Sequence, residues 1–274
     1  MRFLLPSVFA SLCLFVHAHG TELLEPAQTK MLTAFTPGDA YMKTFPYEKY
    51  RICRVPSQGD FYLDTVQDII KGCLACGYAW EPETDNIIVQ HTKKGTIALD
   101  LGAHIGTHTL ALSKAVGDDG LVIAFEPNPK IYRELCMNLA LNGRKNVIPV
   151  QCALGNLNGE ITICTPVPGN EGGTYVGGGG SMVPLRKLDN FSIRNISFIK
   201  MDVENFEDMV LAGGRETLLA SRPIIFLEIQ GNMEQAAASG GNREGKTRVT
   251  ISNLEALGYK VSRFSGDNYI AMPS

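Results

Sequence analysis

Positive charge is scarce in this sequence: 25 Lys and Arg stand against 28 Asp and Glu, a net charge of -3, and no long Lys/Arg run occurs. A protein that grips a nucleic acid must neutralise several phosphates with such residues, so nucleic acid is not an expected partner. Long apolar runs are missing too. The one candidate, Phe3 to Val16, is broken by Pro6, Ser7 and Ser11 and falls short of the roughly 20 residues a spanning helix needs. No stable membrane span is expected in the mature chain. Metal-ligand spacing is equally sparse, since Cys73 and Cys76 form the only C-x-x-C and structural zinc needs two further ligands at comparable spacing. That pair is read as structural or redox-active, and no metal is expected.

Hydrophobic residues make up 45% and charged residues 19% of the 274 positions, enough apolar material for a buried core. Arg2, the apolar run and the small residues Ala18 and Gly20 follow the layout of a secretory signal peptide over residues 1–20, which predicts export; an N-terminal helix retained in a cytoplasmic protein is the alternative. Without Cys13 six cysteines remain. Cys136 and Cys152 fall in a predicted helix and strand, where a thiol serves as a small hydrophobe.

Residues 21–95 mix Pro, aromatic and polar residues and are read as an N-terminal cap segment. One helix is predicted there, Leu63 to Leu74, because Val66, Ile69 and Ile70 share a face. From Thr96 to the end, short β-rich runs alternate with helical stretches, the pattern of a parallel sheet with crossover helices. The predicted strands are Thr96–Leu101, Leu121–Glu126, Val147–Cys152, Glu160–Cys164, Ile196–Met201 and Ile224–Ile229. Helices are expected up to Val116, from Pro129 to Asn142, and over Val249–Leu257. Tyr259–Phe264 and Tyr269–Met272 read as a closing hairpin. Pro166–Ser181 and Gly231–Lys246 read as loops, and the second leaves the carboxyl end of a strand, where open α/β sheets bind ligands.

The strand-to-helix turn Asp100-Leu101-Gly102-Ala103-His104-Ile105-Gly106 is where glycine lets backbone approach a ligand and helix N–H groups face it. Its G-x-x-x-G spacing differs from the G-x-G-x-x-G that makes room for a pyrophosphate. S-adenosylmethionine has no phosphate and wants an acidic group near its cationic amino-acid end, which Asp100 can supply. Glu126 closes the second strand, where a carboxylate can accept both ribose hydroxyls. After the third strand, Ala153 with Cys152 and Leu154 offers an apolar slot for an adenine. Asp202 and Glu204 lie just beyond the strand Ile196–Met201, placed to hold a cationic cofactor or take a proton from an acceptor hydroxyl. Glu207 fits a helix start favoured by the macrodipole.

Taken in order, Trp80-Glu81-Pro82, Leu99 through Leu110, Phe125-Glu126-Pro127-Asn128-Pro129, Lys200-Met201-Asp202-Val203-Glu204 and Phe226-Leu227-Glu228-Ile229 resemble the FkbM-type methyltransferases. His104 stands where that family usually has Asn, and Asn205 where it usually has Gly. The resemblance spans roughly Ala79 to Met272. It implies an S-adenosylmethionine-dependent enzyme that methylates a hydroxyl of a sugar, glycolipid or secondary metabolite, so the expected partner is a small-molecule or glycan acceptor. Cofactor contacts are then expected from Glu81, Asp100, Gly102, Ala103, His104, Gly106, Glu126, Pro127, Asn128, Ala153 and Asp202. The base would be Asp202, Glu204 or Glu228, with His104 and His108 as further candidates. The expected fold is α/β, a class I methyltransferase Rossmann-like domain over residues 96–274. It has a mostly parallel seven-stranded sheet with a reversed last strand and helices on both faces. The competing readings are a nicotinamide-dependent oxidoreductase, disfavoured by the glycine spacing, and a non-catalytic binding protein of the same fold.

Overall fold

The computed structural model describes residues 23–36, 44–66, 68–164, 175–176, 180–229 and 243–274. The segment read as a signal, residues 1–20, and most of the two predicted loops lie outside them. Helix α1 (Pro26–Thr33), a hairpin of β1 (Arg51–Val55) and β2 (Gly59–Leu63), α2 (Ile69–Ala75) and α3 (Pro82–His91) come first. Next follow β3 (Ile97–Leu101), α4 (Thr107–Val116), β4 (Leu121–Phe125), α5 (Pro129–Leu141) and β5 (Val147–Val150). Four short strands then stand apart: β6 (Ala153–Leu154), β7 (Gly159–Cys164), β8 (Tyr175–Val176) and β9 (Ser181–Arg186). The chain closes with β10 (Ile196–Met201), α6 (Glu207–Gly213), α7 (Arg215–Ser221), β11 (Ile224–Glu228), α8 (Arg243–Ala256), β12 (Tyr259–Ser265) and β13 (Asn268–Pro273).

The main sheet has 7 strands in the order β12-β13-β11-β10-β3-β4-β5. β5, β4, β3, β10 and β11 run parallel, and β13 alone is reversed against both of its neighbours. Because both faces are covered, the central strands are apolar almost throughout rather than alternating. Ile97, Leu99, Leu101, Leu121, Ile123 and Phe125 face one side, packed with α1, α6, α7 and α8. Ala98, Val122, Ala124, Phe198 and Phe226 face the other, under α2, α3, α4 and α5. Each Val, Leu, Ile or Phe among them stabilises the fold by roughly 1.5–3 kcal/mol when fully buried. An irregularity between Ile196 and Phe198 shifts the register of β10 against β3 and sets Lys200 beside Asp100.

The cap differs from its sequence reading. Leu63 ends β2, whose partner is β1 in the register Arg51↔Leu63, and the helix begins only at Ile69. Asp68 caps it by accepting the Lys71 N–H at 2.9 Å, so strand pairing and a cap residue override the apolar periodicity. The strand expected at Glu160–Cys164 is β7, but its sheet partners β6, β8 and β9 in the 4-stranded sheet β6-β9-β7-β8 and helices α3, α6 and α7 are elements that the apolar pattern did not reveal, and α8 begins at Arg243, inside the stretch read as a loop. Cys53, Cys73, Cys76, Cys136 and Cys152 form no disulfide. Burial pushes the Cys136 and Cys152 thiols up to about 12, as small buried hydrophobes require. Among the described residues no helix is long and apolar enough to cross a membrane.

The hairpin is fastened by side chains that stand in for a neighbouring strand. Asn138 and Asn142, one turn apart on α5, accept the N–H groups of Tyr62 (2.8 Å) and Asp60 (3.0 Å). Asn142 returns a donor to the Asp60 carbonyl at 2.7 Å, and Asn138 donates to the Ile105 carbonyl at 2.9 Å. One fully buried amide thus joins the cap to the turn after β3. Asn138→Leu leaves a donor and an acceptor without partners, and the expected loss of stability is roughly 2–4 kcal/mol. Urea unfolding checks it; a wild-type midpoint would show that the hairpin hangs on other contacts.

Candidate active site

The turn after β3 is built on left-handed backbone: Gly102 has φ 83°, His104 49° and Gly106 96°. A Cβ at Gly102 would fall 1.7 Å from the Asp202 carbonyl oxygen, so only glycine lets this turn lie against the one after β10. The N–H groups of Gly102 and Ala103 both reach the Phe125 carbonyl, at 3.0 and 2.9 Å. His104 donates its N–H to Glu126 Oε2 at 2.9 Å, and Asn128 donates to Glu126 Oε1 at 2.8 Å. The ends of β3, β4 and β10 are thereby stitched around a cavity of about 250 Å³.

One part of this cavity is apolar with a single acid. Cys152, Ala153, Leu154, Ile163 and Phe206 line it together with Glu126 and Pro127. Each Glu126 oxygen takes one backbone N–H and keeps a lone pair for a further donor, which matches a vicinal diol. Burial pushes this carboxyl up to about 7, although the Asn128 and His104 N–H groups pull the other way.

The other part is acidic. Lys200, whose side chain is only 9% exposed, sits 3.3 Å from Asp202 Oδ2 and donates to the Gly102 carbonyl at 3.2 Å. Burial opposes its charge, but Asp202, Asp100, Glu81 and Glu228 prevail and its pKa is raised. Glu204, at φ 49°, is pushed up to about 8 by burial and by Asp202, Glu228 and Glu207, with Lys200 opposing. Carboxylates outnumber the cations here. Such an arrangement favours a cationic ligand, since each further positive charge relieves several like-charge contacts.

Of the residues singled out in the sequence, Glu81, Gly102, His104, Glu126, Pro127, Ala153, Asp202, Glu204 and Glu228 line the cavity. Asp100, Ala103, Gly106 and Asn128 lie outside its lining. Asp100 is fully buried, accepts the Thr109 hydroxyl at 2.6 Å and has its pKa raised by burial despite Lys200. Gly106 faces α5, where a Cβ would meet Leu135 at 2.8 Å. Asn128 caps α5 through the Lys130 and Ile131 N–H groups. Glu207 accepts the Asn205 N–H at 2.8 Å, a helix-start role. His104 and Asn205 both hold positive φ, where His and Asn are enriched among non-glycine residues, so the two departures keep the backbone course. Burial lowers the His104 imidazole to about 4. Sequence reasoning gave no site role to Lys200, Trp80, Ile70 and Phe206; a lysine inside the apolar strand Ile-Ser-Phe-Ile-Lys-Met was the available signal.

Residues 100–261, more than half of the chain, match the profile described as the methyltransferase FkbM domain. Among curated proteins, a fibrillarin-like rRNA/tRNA 2'-O-methyltransferase of Pyrobaculum aerophilum is 41% identical over 58 residues, 21% of this chain and 25% of that protein. The match thus spans a quarter of that relative's length. Among solved structures, the methyltransferase FkbM of Methylobacillus flagellatus KT aligns at 16% identity and a TM-score of 0.44, covering 74% of this chain and 52% of that one. Aeropyrum pernix fibrillarin, solved with natively bound S-adenosyl-L-methionine, aligns at 15% identity and a TM-score of 0.42, covering 84% and 85%.

The raised carboxyl of Glu204 has a thermodynamic signature. Its folded pKa, about 8, lies above its ordinary 4.5, so the folded chain binds more protons than the unfolded one between those values. The contribution of Glu204 is most favourable at acid pH and declines as pH rises through that window. The Tm of Glu204→Gln relative to wild type should therefore climb from pH 5 to pH 8. A difference that stays constant in calorimetric scans would show that Glu204 ionises normally.

Proposed function

The chain belongs to the methyltransferase FkbM domain family and its methyl donor is S-adenosylmethionine; from that premise we propose that it methylates a hydroxyl oxygen. The acceptor would be a small molecule or glycan, in the range of a sugar, glycolipid or secondary metabolite. The observation that carries this reading is the acidic wall, where Glu81, Asp202, Glu204 and Glu228 line the cavity and Lys200 is the cation paired with Asp202. Membership of a methyltransferase family leaves the oxidoreductase reading without support.

The residues present fit the donor. Glu126 keeps one lone pair on each oxygen for the two ribose hydroxyls, and the slot at Cys152, Ala153 and Leu154 would take the adenine. Bound there, S-adenosylmethionine supplies an electrophilic methyl carried on a sulfonium. Asp202 and Glu81 answer the cationic amino-acid end. Glu204 then takes the proton of the acceptor hydroxyl as its oxygen attacks, and a carboxylate raised to about 8 is a stronger base than an ordinary one. Holding both partners in line supplies most of the acceleration.

The experiment is calorimetric titration with S-adenosylmethionine, followed by methyl transfer to screened acceptors. Glu126→Ala is expected to lose at least tenfold in affinity, because hydrogen bonds to a charged group contribute about 1.5–3 kcal/mol. Asp202→Asn should weaken binding, whereas Glu204→Gln should spare it and slow transfer by roughly 10²–10⁴-fold. The wild-type rate should rise with pH, with its midpoint below the value of about 8 that Glu204 has without the cationic donor. No heat with the cofactor would sink the proposal; full transfer by Glu204→Gln would remove that residue as base. Residues 1–20 are proposed to direct export, and an intact Met1 on native cytosolic protein, read by mass spectrometry, would end that reading.

A further inference from the structure

Behind the acidic wall, a buried imidazole on α4 meets two carboxylates of α3. His108 on α4, with a side chain only 6% exposed, has Nδ1 2.9 Å from Asp85 Oδ1 and Nε2 3.4 Å from Glu81 Oε2. Asp85 belongs to α3, and Glu81 is the residue that starts that helix. The second oxygen of Asp85 accepts from Gln58 Nε2 at 2.8 Å. Gln58, buried in the hairpin turn, also brackets the Trp80 backbone, donating to its carbonyl at 2.6 Å and accepting its N–H at 2.8 Å.

The piece held by all this is Glu81. Its φ of 42° is a conformation that a non-glycine residue keeps only where its surroundings over-determine it. Gln58 secures the residue before it, while His108 and the Thr84 hydroxyl (3.2 Å) both engage its Oε2. Glu81 also lines the cavity. Carboxylates on both sides of the ring push His108 up to about 9 against burial and Lys200, so the imidazole keeps both N–H groups at neutral pH. Burial alone would raise Glu81, yet His108, Lys200 and Thr84 hold it below the ordinary carboxylate range.

We infer that His108 is a positioning residue, one that fixes Glu81 with a single oxygen engaged and its charge directed at the ammonium group of the methyl donor. This rests on the reading of the cavity as an S-adenosylmethionine site. The alternative is that the Asp85-His108-Glu81 bridge merely clamps α3 to α4. The two differ in what a ligand would notice. A clamp matters equally to every part of a bound molecule, whereas a device that aims Glu81 matters only to a ligand that carries the amino-acid group.

The test uses the full chain in calorimetric titrations with S-adenosylhomocysteine, which has that group, and methylthioadenosine, which lacks it. His108→Gln is expected to bind S-adenosylhomocysteine at least tenfold more weakly and methylthioadenosine within twofold of wild type. Glu81→Gln should show the same split, and the double variant should lose little beyond either single one. Asp85→Asn, which leaves the ring in place without its second carboxylate, should show a smaller split and serves if His108→Gln does not fold. Equal losses for the two ligands, or none, would overturn the positioning role. A wild-type chain that binds neither ligand would overturn the cofactor reading itself, and this role with it.

Discussion

Lys200 is an ammonium group in the interior of a parallel sheet, and a charge removed from water must be compensated where it stands. Its neighbour in register on β3 is Asp100, and its nearest anion is Asp202, two residues further along its own chain. The Gly102 carbonyl takes another of its protons. The ends of β3 and β10 are thus held by charge as well as by ladder hydrogen bonds. Gly102 is required for the same closeness, since any Cβ there would strike the Asp202 carbonyl. The Asp202 N–H donates to the Leu101 carbonyl at 2.9 Å, so backbone and side-chain charge together close the two turns on the cavity.

The same constraint explains why the site is acidic beyond what Lys200 can neutralise. Lys200 attracts Asp202, Asp100, Glu81 and Glu228, while burial together with Asp202, Glu228 and Glu207 raises the pKa of Glu204. A ligand that brings positive charge relieves that crowding. A ligand of this kind would also lower the pKa of Glu204.

Around that balance, the cap serves as scaffolding. Asn138 and Asn142 on α5 hold the hairpin. Lys71 on α2 is gripped at 2.9 Å by both Asp64 and Glu134, a buried charge cluster that ties α2 to α5 and places Ile69 and Ile70 at the cavity. The hairpin turn supplies Gln58, which holds the chain entering α3. Residues far apart in sequence therefore meet at one wall.

The apolar strands, their alternation with helices from Thr96 onward and the reversed closing hairpin were legible in the sequence, because a strand buried on both faces can be written in few ways. Gly102, Glu126, Asp202 and Glu204 could be located too, since each sits at a strand end, and all four line the cavity. The cap was misread because hairpin pairing between β1 and β2 outweighs a weak helical period. Helices α6 and α7 were missed because each is only 7 residues long, too short for periodicity to declare itself. Tertiary structure alone decided that Asp100 turns inward to Thr109, that Lys200 pairs with Asp202 at the acidic wall, and that His108 bridges Asp85 and Glu81 while Gln58 holds Asp85 and Trp80. Those are contacts between elements, and a linear sequence carries no distance between them: the local pattern dictates which residues end a strand, while packing dictates which charges find themselves side by side.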